Sequence, residues 1–404
     1  MKGMLKVVLG IVTSIGGFVE VGSISTSAQA GASFRFRLVW ALALATLCLM
    51  FLIEMSGRLA AVSKHTLADA VRERFGFNFH VVPLAGEAVL DCLVLTAEMG
   101  GVAIALHLLT GIPARWLVVP VALAVWLLLW FGTFGMIENG MGLLGLVTLC
   151  FVVAAMKLGL PWREAAGGLV PSVPPDHHAS YGFMAVSILG ATISPYMLNF
   201  YSSGAVEEKW KESDLMTNRI TAGIGMGFGS LVSFGVLAAA ALTLQPAGIQ
   251  VDRYEQAALM LPPVFGRWGV PLFAAALAVG CFGAALEIAL NLAFAMAQAF
   301  GWNWDKDQRP AEDARFSLVY TLAVLVAVVP ILAGVDPLRL TLLSMAVTVI
   351  VLPIVVLPFL VLMNDEHYVG KHRNGWLGNA VVAFIVVMGF VLALVAVPLE
   401  IMGS

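Results

Sequence analysis

Charged residues are unusually few in this sequence: Asp, Glu, Lys and Arg make up 12% of its 404 residues. Soluble domains carry about 25% charged residues, so the composition excludes an ordinary soluble domain. The formal net charge of -3 is also small, and it gives no reason to expect nucleic acid or another strongly charged partner. What replaces charge is apolar surface, because 60% of the residues are hydrophobic and the mean hydropathy is +0.94.

Cysteine is also rare. There are four, all inside apolar runs and none in a CxxC pair: Cys48, Cys92, Cys150 and Cys281. This pattern excludes a disulfide framework and a structural zinc site. The chain also lacks a nucleophile–base arrangement, so we expect no enzyme activity and no resident cofactor.

Apolar residues come in blocks of about 20, the length that crosses a bilayer. They predict an all-α integral membrane protein with about eleven transmembrane helices and the lipid bilayer as a partner. The predicted spans are 6–31, 38–62, 84–110, 114–132, 137–158, 181–206, 218–244, 268–300, 314–334, 337–363 and 376–401. His65 to Phe75 is predicted to be an amphipathic surface helix, and Arg253 to Leu261 a short helix over an outer loop.

Lys and Arg in the loops predict the orientation. With a cytoplasmic N-terminus, fourteen of the 22 Lys and Arg residues lie on the inner side. The bias favours that orientation, although Arg35 and Arg37 oppose it. We therefore expect a plasma membrane protein, the inner membrane in a bacterium, with its N-terminus in the cytoplasm. Nothing in the sequence indicates an oligomer, so a monomer is expected.

Glu20 stands out because it lies within the first apolar run, in the stretch Gly16-Gly17-Phe18-Val19-Glu20-Val21-Gly22-Ser23. A carboxylate at that depth costs at least ~2.5 kcal/mol, so it is normally kept only at a site or pathway. The surrounding glycines weaken the helix, and freed carbonyls are tolerated in a membrane only where they line a cavity or pack on protein. We expect Glu20, Ser23 and the nearby carbonyls to form half of an ion site. The alternative is a carboxylate that only caps a bent helix.

A second weak point opens the sixth span, at Gly190-Ala191-Thr192-Ile193-Ser194-Pro195-Tyr196. Spans one to five (6–158) and six to ten (181–363) have similar length, and an odd number of spans inverts the second half relative to the first. Breaks in corresponding spans are the best sequence indication of a transporter site. The sequence therefore predicts one transmembrane domain over 1–404, built as a five-plus-five inverted repeat with an extra helix at 376–401.

Several motifs in order resemble the NRAMP family of metal transporters. The first-helix region is Phe18-Val19-Glu20-Val21-Gly22-Ser23, where the family usually reads Asp-Pro-Gly-Asn. Glu98 and Gly111-Ile112-Pro113 resemble its third helix and the following loop. Ile188 to Thr192 with Pro195 resembles its sixth helix, which usually reads Met-Pro-His, and Leu352-Pro353 resembles its tenth. The resemblance runs through most of the chain and implies a LeuT-like fold and divalent metal transport.

The departures from the family pattern bear on the ion. The resemblance implies that Glu20 replaces the family's Asp, Ser23 its Asn, and Ser194 its metal-binding Met. Met345 falls at a glutamine position of the tenth helix, where packing or contact with lipid is expected. Tyr196 and Tyr201 stand at its two histidines, Leu95 at an acidic position of the third helix, and Tyr320 and Thr321 about where arginines are usual.

A hard-ligand site follows from these departures, because thioethers favour softer metals whereas carboxylate, hydroxyl and carbonyl oxygens suit Mg²⁺ and Mn²⁺. The expected metal ligands are all oxygens: Glu20, Ser23, Ser194 and the carbonyls near Val19 and Ala191. Ser is smaller than Met, so a roomier cavity is expected, suited to Mg²⁺ or Mn²⁺ that keeps part of its water. Similar family members without the Met carry magnesium.

The proton route looks dismantled, because His is the side chain that titrates near neutral pH and both family histidines are tyrosine. We therefore expect uncoupled, gradient-driven movement of a divalent cation as substrate. Candidate pathway residues are Tyr196, Glu98, Asp91, Glu287, Asn291 and Thr348. Glu98 is alternatively a structural acceptor, and a polar helix–helix contact is the simpler interpretation of Glu287 and Asn291.

Two other functions stay open. A transporter of an organic solute or amino acid on the same scaffold would hold a carboxylate at its half-helix N-termini and an amine at Glu20. A sensor or structural membrane protein on a former transporter scaffold is the third class. Stabilisation by divalent cations, and not by amino acids, would separate the first two classes.

Overall fold

The computed structural model describes residues 20–174, 178–305, 310 and 312–401. Within these ranges every regular element is helical. Nine helical segments there are long and apolar enough to cross a membrane, which confirms predicted spans two to ten. They are Val39–Ser63, Phe77–Thr110, Ala114–Phe131, Phe134–Lys157, His178–Glu207, Glu212–Thr243, Tyr254–Phe300, Ala314–Leu332 and Pro337–Leu362.

The structure describes nineteen α-helices, and eight of them lie in the first half of the chain. They are α1 Val21–Phe34, α2 Val39–Ser63, α3 Leu67–Phe75, α4 Phe77–Thr110, α5 Ala114–Phe131, α6 Phe134–Gly145, α7 Leu149–Lys157 and α8 Trp162–Gly167. A 3₁₀ turn at Leu146–Thr148 joins α6 to α7, so that the two form one membrane crossing.

The second half contains eleven more. They are α9 His178–Thr192, α10 Pro195–Glu207, α11 Leu215–Ile220, α12 Met226–Thr243, α13 Tyr254–Ala258, α14 Pro262–Phe265, α15 Gly269–Phe300, α16 Ala314–Leu332, α17 Pro337–Leu362, α18 Glu366–Val369 and α19 Trp376–Ile401. A π-helical turn at Thr221–Gly225 joins α11 to α12. The last predicted span, 376–401, is thus helical. Within its described residues, only Trp376–Val391 counts as an apolar helix, and this part is shorter than a full membrane crossing.

The first predicted span, 6–31, is described only in part, because residues 6–19 lie outside the described residues. Its described part is α1, which ends at Phe34, three residues beyond the predicted end. The predicted surface helix is α3, and its N-cap Thr66 accepts the Asp69 N–H at 3.1 Å. The predicted short helix at 253–261 is α13.

Helix α1 is held at the centre of the molecule by close backbone approach. A Cβ atom on Gly31 would lie 2.2 Å from the Leu237 carbonyl oxygen, so α1 and α12 touch through their main chains. Helix α17 approaches α9 in the same way, because a Cβ on Gly190 of α9 would lie 2.9 Å from the Met345 carbonyl oxygen. Small residues that allow such contacts are the usual basis of helix packing in membranes. These contacts hold α1 against α12 and α9 against α17.

The sixth span is broken where the sequence predicts it. Helix α9 ends at Thr192, Ser194 is extended (φ -82°, ψ 126°), and α10 begins at Pro195. Proline fits the first position of a helix because its missing N–H would have no helical partner there. Ser194 is therefore the N-cap of α10, just as Glu20 is the N-cap of α1.

Candidate functional site

Glu20 and Ser194, the two N-cap residues, face each other inside the molecule. The Ser194 hydroxyl donates to Glu20 Oε1 at 3.2 Å, and the Tyr196 hydroxyl donates to Glu20 Oε2 at 3.1 Å. Glu20 and Tyr196 are 1% exposed, and Ser194 is 3% exposed. The structure therefore joins the start of α1 to the break in the sixth span through one buried carboxylate and two hydroxyl groups.

Ser23 fixes the main chain around Glu20. Its Oγ accepts the Glu20 backbone N–H at 3.2 Å and donates to the Glu20 carbonyl oxygen at 2.9 Å. Ser23 thus lies in the first turn of α1. The sequence suggested an unwound turn here, and that expectation is wrong for Ser23. A hydroxyl oxygen has two lone pairs, so this bonding pattern leaves Ser23 able to contact an ion as well.

The Ala191 carbonyl lies one turn before Pro195, in the position that normally accepts a helical N–H from four residues ahead. Proline has no N–H, so it cannot supply that bond. Ala191 is buried, at 3% exposure. The break therefore leaves a main-chain oxygen without its usual helical donor close to Ser194. Val19, the other predicted carbonyl ligand, lies outside the described residues.

Glu98 on α4 contacts the start of α1 directly. Both of its carboxylate oxygens accept the Val21 backbone N–H, at 3.0 Å and 3.1 Å, and its side chain is fully buried. The first N–H groups of a helix have no partner within the helix, and they carry partial positive charge. Glu98 is thus the structural acceptor that the sequence left as one alternative, next to the residue that carries the site.

Met345 on α17 is a neighbour that sequence reasoning missed. From the position a Cβ would occupy on Gly22, Met345 Sδ lies at 3.1 Å and Glu20 Oε1 at 3.5 Å. Met345 is 1% exposed, so contact with lipid is wrong and packing is right. The surroundings of Glu20 therefore include one thioether and are not made of oxygen alone. The sequence holds a single hint, Gly22, whose missing side chain makes the room.

The electrostatics of the site come from the carboxylates of Glu20 and Glu98 and from three helix ends. The N-termini of α1 and α10, which carry partial positive charge, meet at Glu20, and α9 ends beside them. Among the described residues no group of three or more His, Cys, Asp or Glu side chains could hold a metal. A cation here would therefore bind to Glu20 together with hydroxyl and carbonyl oxygens and its own water.

The predicted pathway residues do not form one group. Asp91 and Asn291 come together, because the Asn291 amide donates to Asp91 Oδ2 at 2.8 Å. Glu287 lies on α15 and is buried, at 9% exposure. Thr348 is buried but donates to the Ser344 carbonyl of its own helix at 2.8 Å. That bond does not link it to Glu20.

The similarity to known proteins extends over nearly the whole chain. The family described as "Natural resistance-associated macrophage protein-like" (Nramp) matches residues 10–398. A relative from Pectobacterium carotovorum, described as divalent metal cation transporter MntH, is 25% identical over 92% of this chain and 89% of its own length.

Two solved structures share the architecture. The manganese transporter of Eremococcus coleocola superposes with a TM-score of 0.81 at 21% identity, over 96% of this chain and 85% of its own. Mhp1, a nucleobase-cation-symport-1 family transporter, superposes with a TM-score of 0.65 at 15% identity, over 97% and 91%. These likenesses establish the LeuT fold, the five-plus-five inverted-repeat architecture expected from the sequence. With the family match covering all but the ends of the sequence, the chain belongs to the Nramp family.

Proposed function

We propose that this protein transports divalent metal cations across the membrane, with Mg²⁺ or Mn²⁺ as substrate and without proton coupling. The observation that carries the proposal is the Glu20 carboxylate, held between the hydroxyls of Ser194 and Tyr196 where the start of α1 meets the break in the sixth span. A buried intramembrane carboxylate at a helix break is the expected core of a cation site. The likeness to proteins described as divalent metal cation transporters supports it.

Glu20, Ser23, Ser194 and the carbonyls of Ala191 and Val19 are the proposed ligands. All are oxygens, and one carboxylate with several retained waters is the usual way that proteins bind Mg²⁺. Ser194 in place of a thioether supports the hard end of the range. The Met345 sulfur lies beside Gly22, and contact with it would favour a softer ion than Mg²⁺.

The proposal of uncoupled transport is supported by the two tyrosines at the histidine positions of the family. Tyr196 donates to Glu20, and Tyr201 donates to Asn218 Oδ1 at 3.0 Å. Unlike imidazoles, phenols keep their protons near neutral pH. Initial Mg²⁺ uptake into liposomes is therefore expected to be equal with and without an inward proton gradient. A tenfold stimulation by external acid would contradict this part of the proposal.

The arrangement around the site is proposed from the sequence. We propose repeat one over 6–158, repeat two over 181–363 and a monomer with a cytoplasmic N-terminus, in the inner membrane of a bacterium. Tyr196, Glu98, Asp91, Glu287, Asn291 and Thr348 are proposed to line or support the pathway. All six are at most 9% exposed, so ions would reach them only through an opened form of the protein.

Cation-dependent thermal stabilisation of the purified protein tests the proposal. A ligand at 100 times its Kd stabilises the folded state by about 2.7 kcal/mol. Mg²⁺ and Mn²⁺ are expected to raise the melting temperature of the wild type and of Glu255→Gln, a control at an exposed carboxylate. Glu20→Ala is expected to reduce the shift and to abolish uptake. Wild-type stabilisation and uptake in Glu20→Ala would remove Glu20 from the site.

An organic-solute or amino-acid transporter remains the second candidate, and one observation favours it. The N-termini of α1 and α10 converge at Glu20, and half-helix N-termini bind substrate carboxylates in this fold. Glu20 would then bind the substrate amine. An amino acid panel in the same thermal assay separates the two: stabilisation by an amino acid and none by divalent cations would favour this candidate.

A further inference from the structure

Four polar side chains from three helices meet away from the Glu20 site, fully inside the protein. Glu87 and Asp91 come from α4, Asn199 from α10 and Asn291 from α15, and none is more than 5% exposed. The Asn199 amide donates to both oxygens of Glu87, at 2.6 Å and 2.7 Å. The Asn291 amide donates to Glu87 Oε1 at 3.0 Å and to Asp91 Oδ2 at 2.8 Å.

Two oxygens of this cluster have no hydrogen-bond partner among the described residues: Asp91 Oδ1 and Asn291 Oδ1. Both belong to side chains that are at least 99% buried. A buried acceptor without a donor is costly, so it indicates a group that the protein is built to receive. Within the described residues, the side-chain donors to Glu87 and Asp91 are the neutral amides of Asn199 and Asn291.

The spacing of the cluster suits a small divalent cation. Ligands lie about 2.1 Å from Mg²⁺ in a regular octahedron, so adjacent ligand atoms are about 3.0 Å apart. The Asn291 nitrogen already lies 3.0 Å and 2.8 Å from its two carboxylate oxygens. A half-turn of the Asn291 carboxamide would exchange its nitrogen for its unpartnered oxygen. Glu87, Asp91 and Asn291 would then present three oxygens on one face of the octahedron, and water would complete it.

The position of the cluster relates it to the first site. Asp91 precedes Glu98 by seven residues on α4, about 10 Å along the same face. Glu98 holds the Val21 amide, directly after Glu20. Helix α4 thus connects the two carboxylate groups, and with a cytoplasmic N-terminus the cluster lies on the inner side of Glu20.

We propose that Glu87, Asp91 and Asn291 form a second binding site for a hydrated divalent cation, at which the transported ion stops between Glu20 and the cytoplasm. This inference rests on the proposed function. Asn199 acts as a positioning residue, because it holds both oxygens of Glu87 whether or not the ion is present. In the ion-free form the Asn291 amide takes the place of the cation between the two carboxylates.

Counting bound Mn²⁺ per chain tests the second site. Free and bound Mn²⁺ are distinguished by electron paramagnetic resonance on the full chain in nanodiscs, at saturating Mn²⁺. The wild type is expected to bind two ions, Asp91→Asn one, Glu20→Gln one, and the double variant none. Two ions in Asp91→Asn, or one in the wild type that Asp91→Asn leaves unchanged, would overturn the second site. One bound ion in both the wild type and Asp91→Asn would also mean that the cluster binds a proton and no cation.

A gain of affinity covers the case in which Asp91→Asn does not fold. Asn291→Asp keeps the shape of the side chain and supplies a third carboxylate, so the Mn²⁺ affinity of this second site is expected to rise about tenfold. Unchanged or weaker affinity would overturn the proposal. The two proposals fail in different ways: two ions in Glu20→Gln would refute the first site alone, and two ions in Asp91→Asn the second site alone.

Discussion

The Glu98 carboxylate binds the Val21 backbone N–H with both of its oxygens, at 3.0 Å and 3.1 Å. The two residues are 77 positions apart in the chain, and the contact lies one residue beyond Glu20. A carboxylate at a helix N-terminus satisfies an unpaired N–H and complements the partial positive charge of that end. The acid of α4 therefore sets where α1 begins, and with it the position of the Glu20 side chain.

Removing this support is expected to weaken the site without touching a proposed ligand. Glu98→Ala leaves a buried N–H unsatisfied, at a cost of about 1–3 kcal/mol. Affinity for Mn²⁺, measured by thermal stabilisation at several concentrations, is expected to fall about tenfold. Glu98→Gln is the matched variant: its amide oxygen still accepts the Val21 N–H, so it is expected to lose less. Equal, wild-type affinity in both would contradict a positioning role for Glu98.

Ser194 is where a soft ligand can be restored. Ser194→Met returns the thioether that the family usually carries, so Cd²⁺ affinity is expected to rise at least tenfold relative to Mn²⁺. Ser194→Ala is the control, because it removes the hydroxyl that donates to Glu20 Oε1 without supplying sulfur. The measurement is Cd²⁺ competition against Mn²⁺ uptake into liposomes. An unchanged ratio in Ser194→Met would argue against Ser194 as a ligand.

Replacing each of two α1 glycines by alanine is expected to destabilise the protein by different amounts. At Gly31 a Cβ would lie 2.2 Å from a main-chain oxygen of α12, which cannot move aside, so Gly31→Ala is expected to cost about 3 kcal/mol or more. At Gly22 the nearest atom is the tip of Met345 at 2.7 Å, which can rotate, so Gly22→Ala is expected to cost about 1 kcal/mol.

The yield of monodisperse protein and its melting temperature check this pair. Each variant is the control for the other, since both add the same methyl group to one helix. Comparable losses in the two would show that the contact between α1 and α12 is more adaptable than its geometry indicates.

The membrane spans were predictable from the sequence, because hydropathy and length suffice to place a helix in a bilayer. The break at Ser194 was predictable for a local reason: Pro195 cannot continue the hydrogen bonds of α9. The start of α1 was placed less well. Ser23 lies inside the helix because its hydroxyl bonds to the Glu20 main chain, a local alternative that the glycine-rich sequence did not reveal.

Contacts between distant helices were not predictable from one sequence. Asn199 reaches Glu87 across 112 residues, and Val21 reaches Glu98 across 77. Neither contact leaves a periodic signal, because each needs the relative rotation of two packed helices. Met345 illustrates the same limit: an apolar residue in an apolar span looks alike whether it faces lipid or the Glu20 carboxylate.

Asp365 predicts a pH effect away from the membrane. It accepts the His367 backbone N–H at 3.0 Å and the Arg74 Nε–H at 2.9 Å, and these contacts hold the pKa of its carboxyl below the usual range. A lowered pKa in the folded state stabilises the protein at neutral pH, and this stabilisation is lost as the pH falls below about 4.

Asp365→Ala is expected to lower stability by about 1 kcal/mol at pH 7 through the lost helix cap. Asp365→Asn keeps a capping side chain and loses only the partly exposed ion pair with Arg74, so it is expected to cost less. Melting temperatures between pH 7 and pH 3 measure both. A difference between wild type and Asp365→Ala that grows toward acid pH would have the wrong sign.

Tyr196 and Tyr201 provide the most direct test of the site, because the Tyr196 hydroxyl binds Glu20 whereas the Tyr201 hydroxyl binds Asn218. Tyr196→Phe removes one of two hydroxyl donors to the Glu20 carboxylate, a hydrogen bond to a charged group that contributes about 1.5–3 kcal/mol. The carboxylate is then less well oriented, so Mn²⁺ affinity is expected to fall about tenfold. Tyr201→Phe loses only the bond to Asn218 and is expected to bind Mn²⁺ as the wild type does. Thermal titration with Mn²⁺ measures both, and equal affinities in the two variants would remove the Tyr196 hydroxyl from the cation site.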